Sequence, residues 1–414
     1  VRHLTRPRRA VASALVLAAV ALVMASCSSD DTAASTTTAG PGSTTTAPST
    51  TVASTGPAGP IVFNGQGNNL DAYATTPAKD GTFATQRVYE TADTDPKAGR
   101  DINAQLCFLP KTADGQQWFV AGEDTDQDEP GGSAGWGIFR IEGDRVGNLH
   151  ATQLGKLIPT YQPANDNPEN YGCGALADGR VLTTDVGNQA SGDGDGQLIV
   201  WFPPLTGGKV GDFRHVAYCK LDVGLATAQS ILVRDDVIYV AAARGDVYRY
   251  TGPFPTSADA AGGCGAKDAT GAPMADSVHK EVFIDSGPHG LATPAGLAPA
   301  PDDGFYVSSV FTGVIDEYGP DGAFRRTILQ PPAGEQLGAK PYSTGTPLGL
   351  GVGPDGTLYF ADIGVVVDAG NAGPGDHTGS VRRIRFVDGK PQPPETMATD
   401  LDFPDGIGVW DPAA

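Results

Sequence analysis

Residues 346–362 read Thr-Pro-Leu-Gly-Leu-Gly-Val-Gly-Pro-Asp-Gly-Thr-Leu-Tyr-Phe-Ala-Asp, an apolar alternating run, a tight turn, a second apolar run and a terminal Asp. This pattern predicts two short strands joined by a hairpin, because Gly supplies positive φ and Pro pre-sets the angle before it. The unit occurs five times, with turns at Asp114-Gly115, Asp178-Gly179, Asp235-Asp236, Asp303-Gly304 and Asp355-Gly356. The turns stand roughly 50 to 70 residues apart, which suits a four-stranded blade with long loops. A third apolar run follows each unit, for example Leu198-Ile199-Val200-Trp201 and Val381-Arg382-Arg383-Ile384. Fourth strands are expected at Val216-Ala217-Tyr218, Glu281-Val282-Phe283-Ile284 and Arg326-Thr327-Ile328-Leu329.

The two ends of the repeat region complement each other. Phe403-Pro404-Asp405-Gly406-Ile407-Gly408-Val409-Trp410 reads as a first strand with nothing after it. Ile61-Val62-Phe63-Asn64, Asn69-Leu70-Asp71-Ala72-Tyr73 and Gln86-Arg87-Val88-Tyr89 read as second, third and fourth strands with no first. The expected fold is therefore all-β, a six-bladed β-propeller closed by one C-terminal and three N-terminal strands, which hides the edges an open array would expose. With 56 Gly and 33 Pro in 414 residues, the composition also opposes long helices.

Residues 1–26 have a different character. Arg2, Arg6, Arg8 and Arg9 precede an apolar run that ends in Met24-Ala25-Ser26-Cys27. This is the form of an export signal and resembles a bacterial lipoprotein signal with Cys27 as the lipidated residue; ordinary secretory cleavage is the alternative. Residues 27–60 are almost entirely Ser, Thr, Ala, Gly and Pro, too poor in apolar surface to repay ordering. They read as a tether, with the propeller at 61–414. The formal net charge of −20, more negative once the leader arginines are removed, disfavours nucleic acid and anionic membrane surfaces. Contact with a membrane is expected only through the lipid anchor, and the closed ring is expected to be a monomer. Export permits disulfides, and the four remaining cysteines allow three pairings. Joining neighbouring repeats favours Cys107–Cys173 and Cys219–Cys264.

The motifs Pro294-Ala295-Gly296-Leu297, Pro347-Leu348-Gly349-Leu350 and Pro404-Asp405-Gly406-Ile407, with the Asp-Gly/aromatic strand pairs, resemble the six-bladed propellers of the NHL-repeat and gluconolactonase/regucalcin-like group. That resemblance implies a divalent metal held by a Glu, an Asn and an Asp near the first strands. Asp405 matches the Asp; Ala295 and Leu348 stand where the Asn is expected, and no motif matches the Glu.

Long polar connections at 122–135, 186–196 and 363–379 should gather on one face, while an insertion at 252–277 belongs on the opposite face or the flank. On the loop-rich face the expected ligand-binding residues are Asn64, Asn103, Tyr171, Gln229, His289 and His377. The expected oxygen donors for Ca2+ or another divalent cation are Asp185, Asp362 and Asp405. Asp124-Thr125-Asp126-Gln127-Asp128 and Asp193-Gly194-Asp195 are further acidic loops, but neither completes a calcium-loop pattern. Three function classes follow. The first is an extracytoplasmic propeller binding a small molecule, glycan or protein, with catalytic residues unknown. The second is a metal-dependent lactone or ester hydrolase, and the third a quinone-dependent sugar dehydrogenase using His289 with Arg244.

Overall fold

The computed structural model describes residues 59–91, 102, 104–112, 114–123, 135–157, 170–185, 196–202, 216–225, 227–243, 245–269, 271–331, 345–368, 371–375 and 377–414. The leader, Cys27, the tether up to residue 58, Asn103, Arg244 and the acidic loops at 124–128 and 193–195 lie outside these residues.

Six antiparallel blades form a closed ring. Blade one joins Pro404–Trp410 to Ile61–Gln66, Asn69–Ala74 and Thr85–Glu90, so the two ends of the repeat region share one sheet. Ile61 lies opposite Trp410 and Val62 opposite Val409, as the complementary ends predict. Blade two contains Cys107–Phe108, Gln117–Glu123, Gly135–Glu142 and His150–Leu157; blade three contains Asn170–Ala175, Val181–Asp185, Gly196–Trp201 and Tyr218–Leu225. Blade four contains Ala228–Arg234, Val237–Ala242, Val247–Thr251 and His279–Ile284. Blade five contains Pro294–Ala300, Gly304–Ser309, Val314–Tyr318 and Phe324–Leu329, and blade six Pro347–Val352, Leu358–Asp362, Gly379–Ile384 and Glu395–Leu401.

The repeat pattern follows from where each strand sits. Second strands are covered on both faces by neighbouring blades, so Gln117–Glu123 and Leu358–Asp362 are buried along their whole length. Outer strands meet solvent on one side, and Glu395–Leu401 accordingly mixes exposed and buried positions. The hairpin turns use aspartate in two ways. In blade four Asp235 and Asp236 both take positive φ, 49° and 55°, the twist a two-residue hairpin requires. In blade six Asp355 accepts the Thr357 N–H at 3.1 Å while Gly356 takes φ 80°.

Apolar clusters fill the space between adjacent blades all the way round. Phe63, Phe119, Phe139 and Trp410 lie between blades one and two, and Val240, Leu198 and Tyr250 between three and four. The cluster between blades six and one, with Val62, Tyr73, Tyr359, Ala361 and Ile407, makes the closure a packed interface like the others.

The expected disulfides are both present, Cys107–Cys173 linking blades two and three and Cys219–Cys264 linking blade three to the insertion. The insertion lies on the flank. Its Pro273–Met274 strand pairs parallel to Tyr218–Leu225, with Ala266–Lys267 beyond, so blade three has six strands. Lys220 and Asp268 form an ion pair at 2.6 Å beneath it, both side chains under 10% exposed. The 363–379 connection contains a hairpin, Val365–Asp368 with Asn371–Pro374.

Candidate functional site

The first strands stand side by side around the axis, and in four of the six a glycine explains how closely the strand approaches the next blade. A Cβ on Gly406 would fall 1.6 Å from the Ala104 carbonyl oxygen; on Gly172, 2.3 Å from that of Gln229; on Gly296, 2.2 Å from that of Leu348; on Gly349, 2.3 Å from that of Asp405. The Pro-x-Gly motif is therefore a packing device between blades. Where a bulge frees the glycine N–H, a second-strand hydroxyl bridges it to the next blade. Thr184 accepts from Gly172 and donates to the Gln229 carbonyl, and Ser308 does the same between Gly296 and Leu348, all at 2.7 Å.

These contacts fix a ring of equivalent residues at the x position of the motif, in blade order Asp405, Ala104, Tyr171, Gln229, Ala295 and Leu348. Of the residues to which the sequence points, Tyr171, Gln229, Leu348 and Asp405 hold ring positions. In blade two the ring position is Ala104, and the expected Asn103 lies outside the described residues. No turn or glycine marks the register there. Asn64 is also displaced from its expected place at the end of a second strand, because that strand runs on to Gln66, which pairs with Pro404. The Asn64 side chain instead turns inward and donates to the Gly406 carbonyl at 2.8 Å.

Asp405 is 2% exposed. Its carboxylate accepts the Ala104 N–H at 2.9 Å and a hydrogen bond from Tyr171, reaching residues of blades two and three at once. Burial outweighs these bonds and pushes its pKa up to about 7. Ala104 adopts φ 70°, a left-handed conformation costly for a residue with a Cβ, and its N–H is the one Asp405 holds. Above this pair Tyr171, Ala295 and Leu348 pack with Val310, Ile363 and Val365 into an apolar plug. The space left at the axis, lined by Gln105, Tyr171, Leu348 and Asp405, is about the size of one water molecule.

Gln229 is fully buried, and among the described residues neither its Nε2 nor its Oε1 has a hydrogen-bond partner; the Asn64 Oδ1 has none among them either. Such groups cost stability and call for an explanation.

The second-strand ends behave differently. Asp362 accepts from the Thr346 N–H at 2.9 Å and the Gly364 N–H at 3.0 Å and lies 3.5 Å from Arg382, so its oxygens hold the loop around it. Burial raises its pKa against these contacts. Glu123 is bound by Gln153 and Lys156, and burial raises its pKa too. Asp185 is buried opposite Asn170 and Gln197 at the end of its strand. Asp185, Asp362 and Asp405 do not come together: among the described residues no three His, Cys, Asp or Glu side chains are grouped to hold a metal ion. The described donor set does not fit the three-residue metal site the resemblance implies, since the ring offers Asp405 as its one carboxylate.

His289 stacks on Phe324 of an outer strand, ring centroids 4.0 Å apart, instead of facing Asp405. His377 is exposed, with Nδ1 3.3 Å from Asp402 in the blade six to blade one connection.

No protein-family model matches this chain, and no curated protein does. Among solved structures, a chain of a nidogen/laminin complex is 12% identical, with 85% of this chain and 98% of that one covered and a TM-score of 0.46. The virginiamycin B lyase of Staphylococcus aureus is 13% identical, with 84% and 85% covered and a TM-score of 0.37. A regucalcin of Agrobacterium tumefaciens, described as a calcium-binding protein, is 15% identical, with 73% and 76% covered and a TM-score of 0.39.

Proposed function

We propose that this is an extracytoplasmic, lipid-anchored propeller that binds a ligand on its loop-rich face without transforming it. The observation that carries this reading is the free hydrogen-bonding capacity of Gln229 on the axial ring, beside the Asp405–Tyr171 pair. The carboxylates best placed for chemistry are already engaged by the protein's own donors, whereas an amide at the axis is not.

The two disulfides suggest an oxidising, extracytoplasmic compartment. Among the described residues no helix is long and apolar enough to cross a membrane, and the anchor in this reading is a lipid on Cys27. Expressed in a bacterial host, the full chain should partition with membranes and Cys27→Ala should appear in the soluble fraction; equal partitioning of both would remove the anchor.

One observation favours a second reading, a hydrolase of lactones or esters: a carboxyl with pKa about 7, held by a tyrosine, can exchange a proton near neutrality. Thermal-shift screening of the full chain against small molecules and oligosaccharides, followed by mass analysis of each recovered compound, separates the two. Binding predicts stabilising compounds recovered unchanged, with a response altered in Asp405→Asn. Recovery of hydrolysed lactone that depends on Asp405 would replace the binding reading with the second.

A further inference from the structure

Gln229 and Gln105 occupy neighbouring positions of the first strands, and one of them displays what the other lacks. The Gln105 amide crosses from blade two to blade four and takes both main-chain groups of one residue. Its Nε2 donates to the Ile231 carbonyl and its Oε1 accepts the Ile231 N–H, each at 2.9 Å. A glutamine amide here is thus spaced to read an extended residue by its N–H and C=O together.

The amide of Gln229 has the same pair of groups, wholly buried and, among the described residues, both without partners. Its main chain is already committed, since its carbonyl accepts the Thr184 hydroxyl and lies against Gly172. What remains is one donor and one acceptor side by side. We propose that Gln229 is the recognition residue of a peptide-binding site and pairs with the main-chain N–H and C=O of one extended residue of a short peptide. This rests on the reading of the protein as a binding propeller and names the ligand class.

The surroundings narrow the ligand. Tyr171, Ala295 and Leu348 share the ring with Gln229 and are buried in the apolar plug, so the recognised residue should carry an apolar side chain. Asp405 is the one carboxylate on the ring, and among the described residues no cation contributes to its environment, which disfavours an anionic residue. Because Gln229 is wholly buried, entry requires the plug to part.

The test uses the full disulfide-bonded chain and two probes: N-acetyl-leucine N′-methylamide, and the same compound methylated on the leucine nitrogen, which lacks the N–H. Binding is followed by ligand-observed NMR and by Tm. The first probe should bind and raise Tm by about 2 °C at ten times its Kd. The methylated probe, and Gln229→Leu with the first probe, should each weaken binding about tenfold or more. Gln229→Glu, of similar size, guards against a packing effect and should weaken binding as well. Equal binding of both probes, undiminished binding by Gln229→Leu, or no binding of either probe would overturn the peptide proposal. Compounds from the thermal-shift screen that still bind unchanged would then leave the broader reading standing, whereas hydrolysis of the probe would overturn both.

Discussion

Removing the strand Pro404–Trp410 is expected to abolish cooperative folding of the whole propeller, although it is only one strand at the end of the described chain. It pairs with Ile61–Gln66 along its length and supplies Trp410 to the cluster between blades one and two and Ile407 to that between six and one. Its loss would leave a bare edge on a strand made for burial on both sides and open two interfaces of the ring. Trp410 alone should carry much of this. Its ring stacks on Phe108 at 6.1 Å and lies 6.3 Å from Phe63, and the side chain is 7% exposed. Trp410→Ala should therefore destabilise by about 3–5 kcal/mol, read as the shift in the denaturant midpoint. A truncated chain that still melts in one transition at the wild-type temperature would contradict ring closure.

The second large effect is on pH. A carboxyl whose folded pKa lies above its unfolded value keeps its proton longer in the folded state, so stability is greatest below the unfolded value and is lost as pH rises. For Asp405 the window runs from the ordinary aspartate range, near pH 4, to about 7. The loss across it is on the order of 4 kcal/mol for this one group. Glu123, Asp316 and Asp362, all raised by burial, act in the same direction. The protein should thus be more stable at pH 5 than at pH 8. Asp405→Asn, which keeps the shape and an acceptor for Ala104, should flatten that dependence. Calorimetric Tm values across this range decide it, and a wild-type Tm that rises from pH 5 to 8 would be the opposite result.

The blade architecture was legible because inner strands, buried on both faces, need continuous apolar runs, and their hairpins need Asp and Gly. Outer strands carry a weaker signal: His150–Leu157 and Glu395–Leu401 hold so many polar positions that neither stands out. The axial ring was half legible. Pro-x-Gly marked Leu348 and Asp405, but Ala104 has neither Pro nor Gly beside it, and its register is set by Gly406 of a strand some 300 residues away in sequence. The partners of Asp362 were hidden for a related reason, since backbone N–H groups of a loop leave no mark in residue type. The terminal Asp of the 346–362 stretch, which looked like a ligand donor, is a loop clasp. Gln229 was marked by its place at the start of a first strand, but only its partners show that its amide is left open while that of Gln105 is satisfied.

The most direct measurement is the equilibrium stability of Gln229→Leu beside the wild type, with no ligand present. An amide kept buried and unpartnered for recognition lowers the stability of the free protein, so leucine should raise it by about 1–3 kcal/mol while binding is lost. If Gln229→Leu is instead less stable than the wild type by a similar amount, the amide is held by the protein itself and the axial ring is not a recognition site.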